Sequence, residues 1–256
     1  LPTQRSMSFS AATYNVDGWE KDGTESEIRL QLSDRYGNPV PDGTSISLVT
    51  EGASVIPARC TTLDGVCKVK FVTSNFRPAD GRVTVIAYAQ GEESFDDVDG
   101  NNLYSSGEVF TDLGPVFVDK NENGVLDATL GEYLIGSAAD GAWNSNTYVR
   151  LGRVFTLSSS AVAPRLFAAT GRTCSGSAFT SVVLSPRSTA CRVSTSFCLR
   201  DSNTVPTGGN SVPAGALLSV STGAKGVKVS VDGTPISSTA LVPTAHIVTA
   251  ELDDCK

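Results

Sequence analysis

At 256 residues with 40% apolar side chains, the chain is long enough to bury the core of one large β domain or two ordinary ones, which excludes disorder as a whole. A net charge of -7 without any cluster of Lys and Arg argues against a nucleic-acid partner, because phosphates are bound by gathered cations. No apolar run approaches the length that crosses a bilayer, and the opening LPTQRSMSFS has neither a basic n-region nor an apolar h-region, so no direct membrane insertion is expected and the chain reads as starting downstream of any signal or anchor.

The first predicted elements lie between residues 25 and 90. Short runs, ESEIRLQLSD, TSISLVTEG, VCKVKFVTS and RVTVIAYAQ, are cut by turns such as YGNPVPDG and RPADG. In EIRLQL the apolar positions Ile28, Leu30 and Leu32 step by two, which places them on one face of a pleated strand and leaves the other face wet. Strands of this length with Gly, Pro, Asn and Asp between them predict a Greek-key sandwich, and the wealth of Val, Ser, Thr and Gly extends the all-β expectation to the whole chain. Cys60 and Cys67 bracket TTLDGV, where Leu63-Asp64-Gly65 supplies turn chemistry, so the two are expected to form a disulfide across a hairpin.

The segments DRYGNPVPDGTSISLVTEG, CTTLDGVCKV and RPADGRVTVIAYAQGEESF resemble a bacterial group 1 Ig-like domain, the kind strung along invasin- and intimin-type surface proteins. The likeness covers residues 8–95 well and the C-terminal region weakly. It implies an Ig-like β-sandwich over residues 1–95 that spaces or presents other parts of a protein, with no catalytic residues to carry over. It also implies an extracytoplasmic setting: the bacterial cell surface, the periplasm or the secreted fraction.

Residues 96–140 are read as an acidic linker. Between Glu92 and Glu132 eleven carboxylates stand against one cation, Lys120. With Asp119 as position 1 of a calcium loop, Asn121 falls at 3, Asn123 at 5, Gly124 at 6, the carbonyl of Val125 at 7 and Asp127 at 9, as in an EF-hand loop. Position 12 is Leu130, so the bidentate role passes to Glu132 two residues on, and the loop is expected to bulge. The preceding DVDGNNLYSSGE gives a second count: Asp97 at 1, Asp99 at 3, Asn101 at 5, Asn102 in the glycine place, the carbonyl of Leu103 at 7, Ser105 at 9 and Glu108 at 12. Asp112 stands between the loops as an extra ligand. Together they resemble the tandem DxNxNGxxDxGE repeats of secreted bacterial proteins. Hard oxygen donors without His or Cys point to Ca2+ and away from zinc. Lying between two β domains, the segment is expected to be a hinge that calcium stiffens; a solvated acidic linker is the plainer alternative.

A second β-sandwich is predicted over 141–256, through YVRLGRVFTLS, PRLFAAT, AFTSVVLS, CRVSTSFCLRD, GALLSVST, GVKVSVDG and HIVTAEL. It carries Cys174, Cys191, Cys198 and Cys255, for which three pairings are possible. With no CxxC pair among them, the six cysteines read as disulfides formed in an oxidising compartment outside the cytoplasm. A Val-Pro-x-Gly turn at 40–43 recurs within 199–223, a faint internal repeat of strand, turn and strand.

His246, the only histidine, sits in an alternating strand pattern with no G-x-S-x-G nearby, so a Ser-His-Asp hydrolase is disfavoured and no enzyme is expected. The clustered carboxylates lie among Gly, Asn and Ser, whereas a glycosidase acid needs an apolar pocket. GEESF at 91–95 reads as the exit of the first sandwich. Trp19 in VDGWEKDG and Trp143 in DGAWNSN either plug sandwich ends or stack on sugar rings. The reading is a non-catalytic module for adhesion, spacing or presentation, whose partner is an unidentified surface protein or glycan; a carbohydrate-binding module is the alternative.

Overall fold

The computed structural model describes residues 1–202 and 209–253. Among these the chain is all-β, with helix confined to two 3-10 turns, Gln4–Ser6 and Ala128–Leu130. In chain order the strands are β1 (Met7–Ala11), β2 (Asn15–Asp17), β3 (Glu25–Leu32), β4 (Ser45–Thr50), β5 (Ser54–Ile56), β6 (Arg59–Thr61), β7 (Val66–Val72), β8 (Arg82–Gly91), β9 (Val116–Phe117), β10 (Tyr133–Ile135), β11 (Thr147–Ser158), β12 (Arg165–Thr170), β13 (Thr173–Phe179), β14 (Arg192–Arg200), β15 (Val227–Val231) and β16 (Thr244–Leu252). They divide into two compact units. The first comprises Leu1–Ala12, Glu25–Phe76 and Val83–Val154, the second Thr13–Thr24, Arg77–Arg82 and Phe155–Lys256.

In the first unit one antiparallel sheet has the order β1-β3-β7-β5. Its strands alternate as the sequence predicts: Ile28, Leu30 and Leu32 are fully buried, and Val69 and Phe71 on β7 join them. The outward row pairs Lys70 with Glu25 and Lys68 with Glu27, ion pairs exposed enough to contribute little. A second sheet sets β11 beside β8, then β4, then β6. Strand β8 is buried along almost its whole length, because its second face is covered: Ile86 packs with Val116 and Val118, with Leu134 and Ile135 against them. The β9–β10 pair therefore roofs this sheet. The acidic stretch is thus an insertion between neighbouring strands β8 and β11, and residues 96–140 group with the first unit; the expected boundary at residue 95 falls inside it.

Cys60 and Cys67 form a disulfide. The two strands it joins are not hairpin partners, since β6 pairs with β4 while β7 pairs with β3 and β5, so the bridge ties one sheet of this unit to the other.

The second unit is built on an antiparallel sheet of order β13-β12-β14-β16-β15, centred on the long β14–β16 pairing from Arg192↔Glu251 to Leu199↔Thr244. Phe197 and Leu199 on β14 bury against Val212 and Ile236. The last residues of β11 pair in parallel with β2. Two segments expected as strands are not: GALLSVST and most of AFTSVVLS form no ladder. Instead Ala216 accepts from the Ile236 N–H, and Ala216 and Leu218 pack on the core. A disulfide joins Cys174 to Cys198. No described cysteine is a free thiol, and Cys255 lies outside the described residues.

The Val-Pro-x-Gly turns adopt one geometry. Val40 and Val212 are buried, the Pro41 and Pro213 carbonyls each accept from the N–H three residues on at 3.2 Å, and Gly43 and Gly215 take φ of 85° and 77°. A positive φ at the third position is what a type II turn demands of glycine. The other copy, at 205–208, lies outside the described residues.

Candidate functional site

At the end of β8 the chain enters the acidic insertion through two buried carboxylates. Glu93 accepts N–H groups from Leu113 at 2.7 Å and Asn144 at 2.8 Å, and its carbonyl accepts the Trp143 indole N–H at 2.9 Å. One side chain therefore holds the start of the insertion to its middle and its end. Glu92 pairs with Arg35 at 2.8 Å. GEESF is a structural clamp whose two carboxylates are each engaged within the fold.

Next comes a short stem, in which Asp96 N donates to Val109 O and Thr111 N to Ser94 O, both at 2.8 Å. Phe95, Tyr104, Phe110 and Trp143 cluster beside it, with Tyr104 stacked on Trp143 at 5.2 Å between ring centroids. The first loop, residues 97–108, closes on this stem.

Within that loop Asp97 accepts the N–H groups of Gly100, Asn101 and Asn102; Asp99 accepts from Asn101 and the Ser105 hydroxyl; and the Asn101 side-chain oxygen accepts from Leu103 N at 2.6 Å. Glu108 turns back to accept from Val98 N and Ser105 N, each at 2.8 Å. One oxygen each from Asp97, Asp99 and Glu108 lies within 4.8 Å of the others. That span matches oxygens on one calcium ion, whose bonds of roughly 2.3–2.6 Å keep any two ligands within about 5 Å. The Ser105 hydroxyl, then the Asn101 N–H, hold the Asp99 carboxyl below the ordinary aspartate range.

The second loop repeats the backbone hydrogen bonds, but among the described residues only the first loop brings three carboxylates within 4.8 Å of one another. Asp119 accepts from Asn123 N and Gly124 N; the Asn121 oxygen accepts from Asn123 N; and the Asn123 oxygen accepts from Val125 N. Asn102 and Gly124 occupy the same turning place with φ of 62° and 76°. The two extra residues before Glu132 are absorbed by the 3-10 turn Ala128–Leu130, so Glu132 still reaches back to Lys120 N at 2.8 Å and also accepts from Asp127 N at 2.7 Å. Asp127 is engaged by the Asn121 and Asn123 amides at 2.6 and 2.9 Å. Glu132 is fully buried and Thr84 donates to the Asp119 carbonyl at 2.7 Å, which seats this loop on β8.

Asp112 belongs to neither network. One of its oxygens accepts from Gly141 N at 2.7 Å, and the other is buried with no hydrogen-bond partner among the described residues. Spacing alone pointed to the loop residues; Glu93 and Arg35 were missed as anchors, since nothing local marks a glutamate that bonds Leu113 and Asn144.

The remaining expectations lie outside these loops. His246 is buried on β16, with one ring nitrogen 2.8 Å from the Thr244 hydroxyl and the other 3.1 Å from the Asp232 carbonyl. Both nitrogens are thus occupied within the fold. Asp232 binds Ile247 N and Arg172, and those bonds hold its carboxyl below the usual range. Tyr104 stacks on one face of Trp143. Trp19 is half-buried in the second unit. The chain matches no family model, no curated protein and no solved structure.

Proposed function

We propose that the chain is a non-catalytic module of a bacterial surface or secreted protein, serving adhesion, spacing or presentation, with an Ig-like sandwich as its first unit and calcium ordering its two acidic loops. The observation that carries the calcium reading is the repetition: two stretches of different length close through the same hydrogen bonds, with a terminal glutamate returning to the second residue of each loop. Loops that only scatter charge have no reason to share that pattern. All the donors are oxygens, as a hard divalent cation prefers.

Strand order supports the Ig-like reading. Taken in sequence, β1-β3-β7-β5 follows the A-B-E-D order of an Ig sandwich, and β11-β8-β4 the G-F-C order. The acidic loops would then occupy the connection between the last two strands, at one end of the sandwich, where Ig-type folds carry their recognition loops. The disulfides Cys60–Cys67 and Cys174–Cys198 favour an oxidising extracytoplasmic environment.

The test is an amide NMR titration of the whole chain with calcium chloride. Shifts concentrated in residues 97–108 and 119–132 support the reading; a spectrum that ignores calcium removes it. Glycan binding is read separately on an array, where signal lost with Trp19→Ala would favour the carbohydrate-binding alternative.

A further inference from the structure

We propose that Arg35, far from the acidic segment in sequence, is the positioning residue that sets the calcium affinity of the 97–108 loop; this rests on the calcium reading above. Arg35 follows Asp34, whose carboxylate accepts N–H groups from Tyr36 and Asn38 at 2.9 Å and so fixes the turn after β3. From there one guanidinium nitrogen donates to Glu92 at 2.8 Å and another to the Asn102 carbonyl at 3.0 Å. The guanidinium also lies over the Phe95 ring, 5.2 Å from its centroid, in the aromatic cluster that holds Tyr104 of the loop.

The Asn102 carbonyl belongs to the peptide group that leads into Leu103, whose own carbonyl is the backbone ligand the loop would offer. Asn102 is also the loop's non-glycine residue at positive φ. Gripping that peptide sets the direction of the next carbonyl before any cation arrives. Partners bonded directly to a ligand typically govern affinity by about ten- to a hundredfold, and a contact one residue further out is expected at the lower end.

A guanidinium near a cation site also repels the cation, and the two effects have opposite signs. Glu92, only 5% exposed at its side chain, offsets the repulsion: paired at 2.8 Å, it neutralises most of the field that Arg35 projects. Positioning therefore wins, and weakening the grip loosens calcium. The second loop is seated differently, through Thr84 on the Asp119 carbonyl, so it serves as an internal control.

Replacing Arg35 by alanine would strand the buried Glu92 charge and endanger the fold. Arg35→Lys keeps a cation for Glu92 but cannot also hold the Asn102 carbonyl in a planar fork. Calorimetric titration with calcium chloride is run on the full chain in a Glu132→Gln background, which reports the first loop, and in a Glu108→Gln background, which reports the second. Arg35→Lys is expected to weaken the first loop about tenfold and leave the second unchanged. A first-loop affinity that is unchanged or raised, with calcium still binding, overturns the inference and leaves the calcium reading standing. If the chain carrying Arg35 takes up no calcium in either background, both fall together.

Discussion

Glu108 and Glu132 stand twelfth and fourteenth in their loops, yet each carboxylate accepts the backbone N–H of its loop's second residue, Val98 and Lys120, at 2.8 Å. The 3-10 turn Ala128–Leu130 absorbs the difference in length. What the two loops share is the return of the last carboxylate.

That equivalence predicts equal sensitivity to losing the terminal charge. At a free calcium concentration ten times its dissociation constant, each proposed site would stabilise the first unit by about 1.4 kcal/mol, a rise of a few degrees in unfolding temperature. Glu108→Gln and Glu132→Gln should each remove about half of the calcium-dependent rise seen by calorimetric scanning. A rise that survives both substitutions together would place calcium elsewhere.

Glu93 predicts a stability effect that does not depend on calcium. Its buried carboxylate serves Leu113 and Asn144, and hydrogen bonds to a charged group contribute about 1.5–3 kcal/mol each. Glu93→Ala should lower the unfolding free energy of the first unit by about 3 kcal/mol or more in urea titrations with chelator present. A loss below about 1 kcal/mol would show that water replaces the carboxylate without cost.

The first loop should also resist acid. Ser105 and Asn101 lower the Asp99 pKa, and a group depressed in the folded state contributes while ionised, above its unfolded value, the contribution fading as pH falls through the folded value. Carboxyl-carbon NMR should therefore give Asp99 a midpoint below the ordinary aspartate value of about 3.9, and Ser105→Ala should raise it. A midpoint at or above the ordinary value, unmoved by Ser105→Ala, contradicts the network.

The Cys60–Cys67 bridge closes a short loop, with a sequence separation of 7. Loop-closure entropy for that length gives a stabilisation of about 2–3 kcal/mol. The Cys60→Ser/Cys67→Ser double variant should unfold at correspondingly lower urea concentration, while the second unit keeps its transition.

Much of this was legible in sequence wherever a period or a spacing carried it. Ile28, Leu30 and Leu32 announce β3 by stepping in twos, and Asp119-x-Asn121-x-Asn123-Gly124 announces its loop by ligand spacing. Strand β8 reads as another alternating run in RVTVIAYAQ, yet both its faces are largely buried, because the β9–β10 pair covers the second through contacts dozens of residues away. For the same reason β11 could not be recognised as the partner of β8 across the insertion. The segment GALLSVST reads as a strand by composition, yet Ala216 and Leu218 cover the core without a ladder, since apolar content reports burial and not pairing. Asp112 shares the acidic composition of the loops, but its bond to Gly141 draws it out of both.

Equilibrium dialysis of the intact chain against calcium, with bound metal counted per chain, tests the central claim most directly. Two ions per chain are expected, one in either Glu108→Gln or Glu132→Gln, and none in the double variant. A count of zero in the unaltered chain, at calcium levels of the extracellular medium, would contradict it.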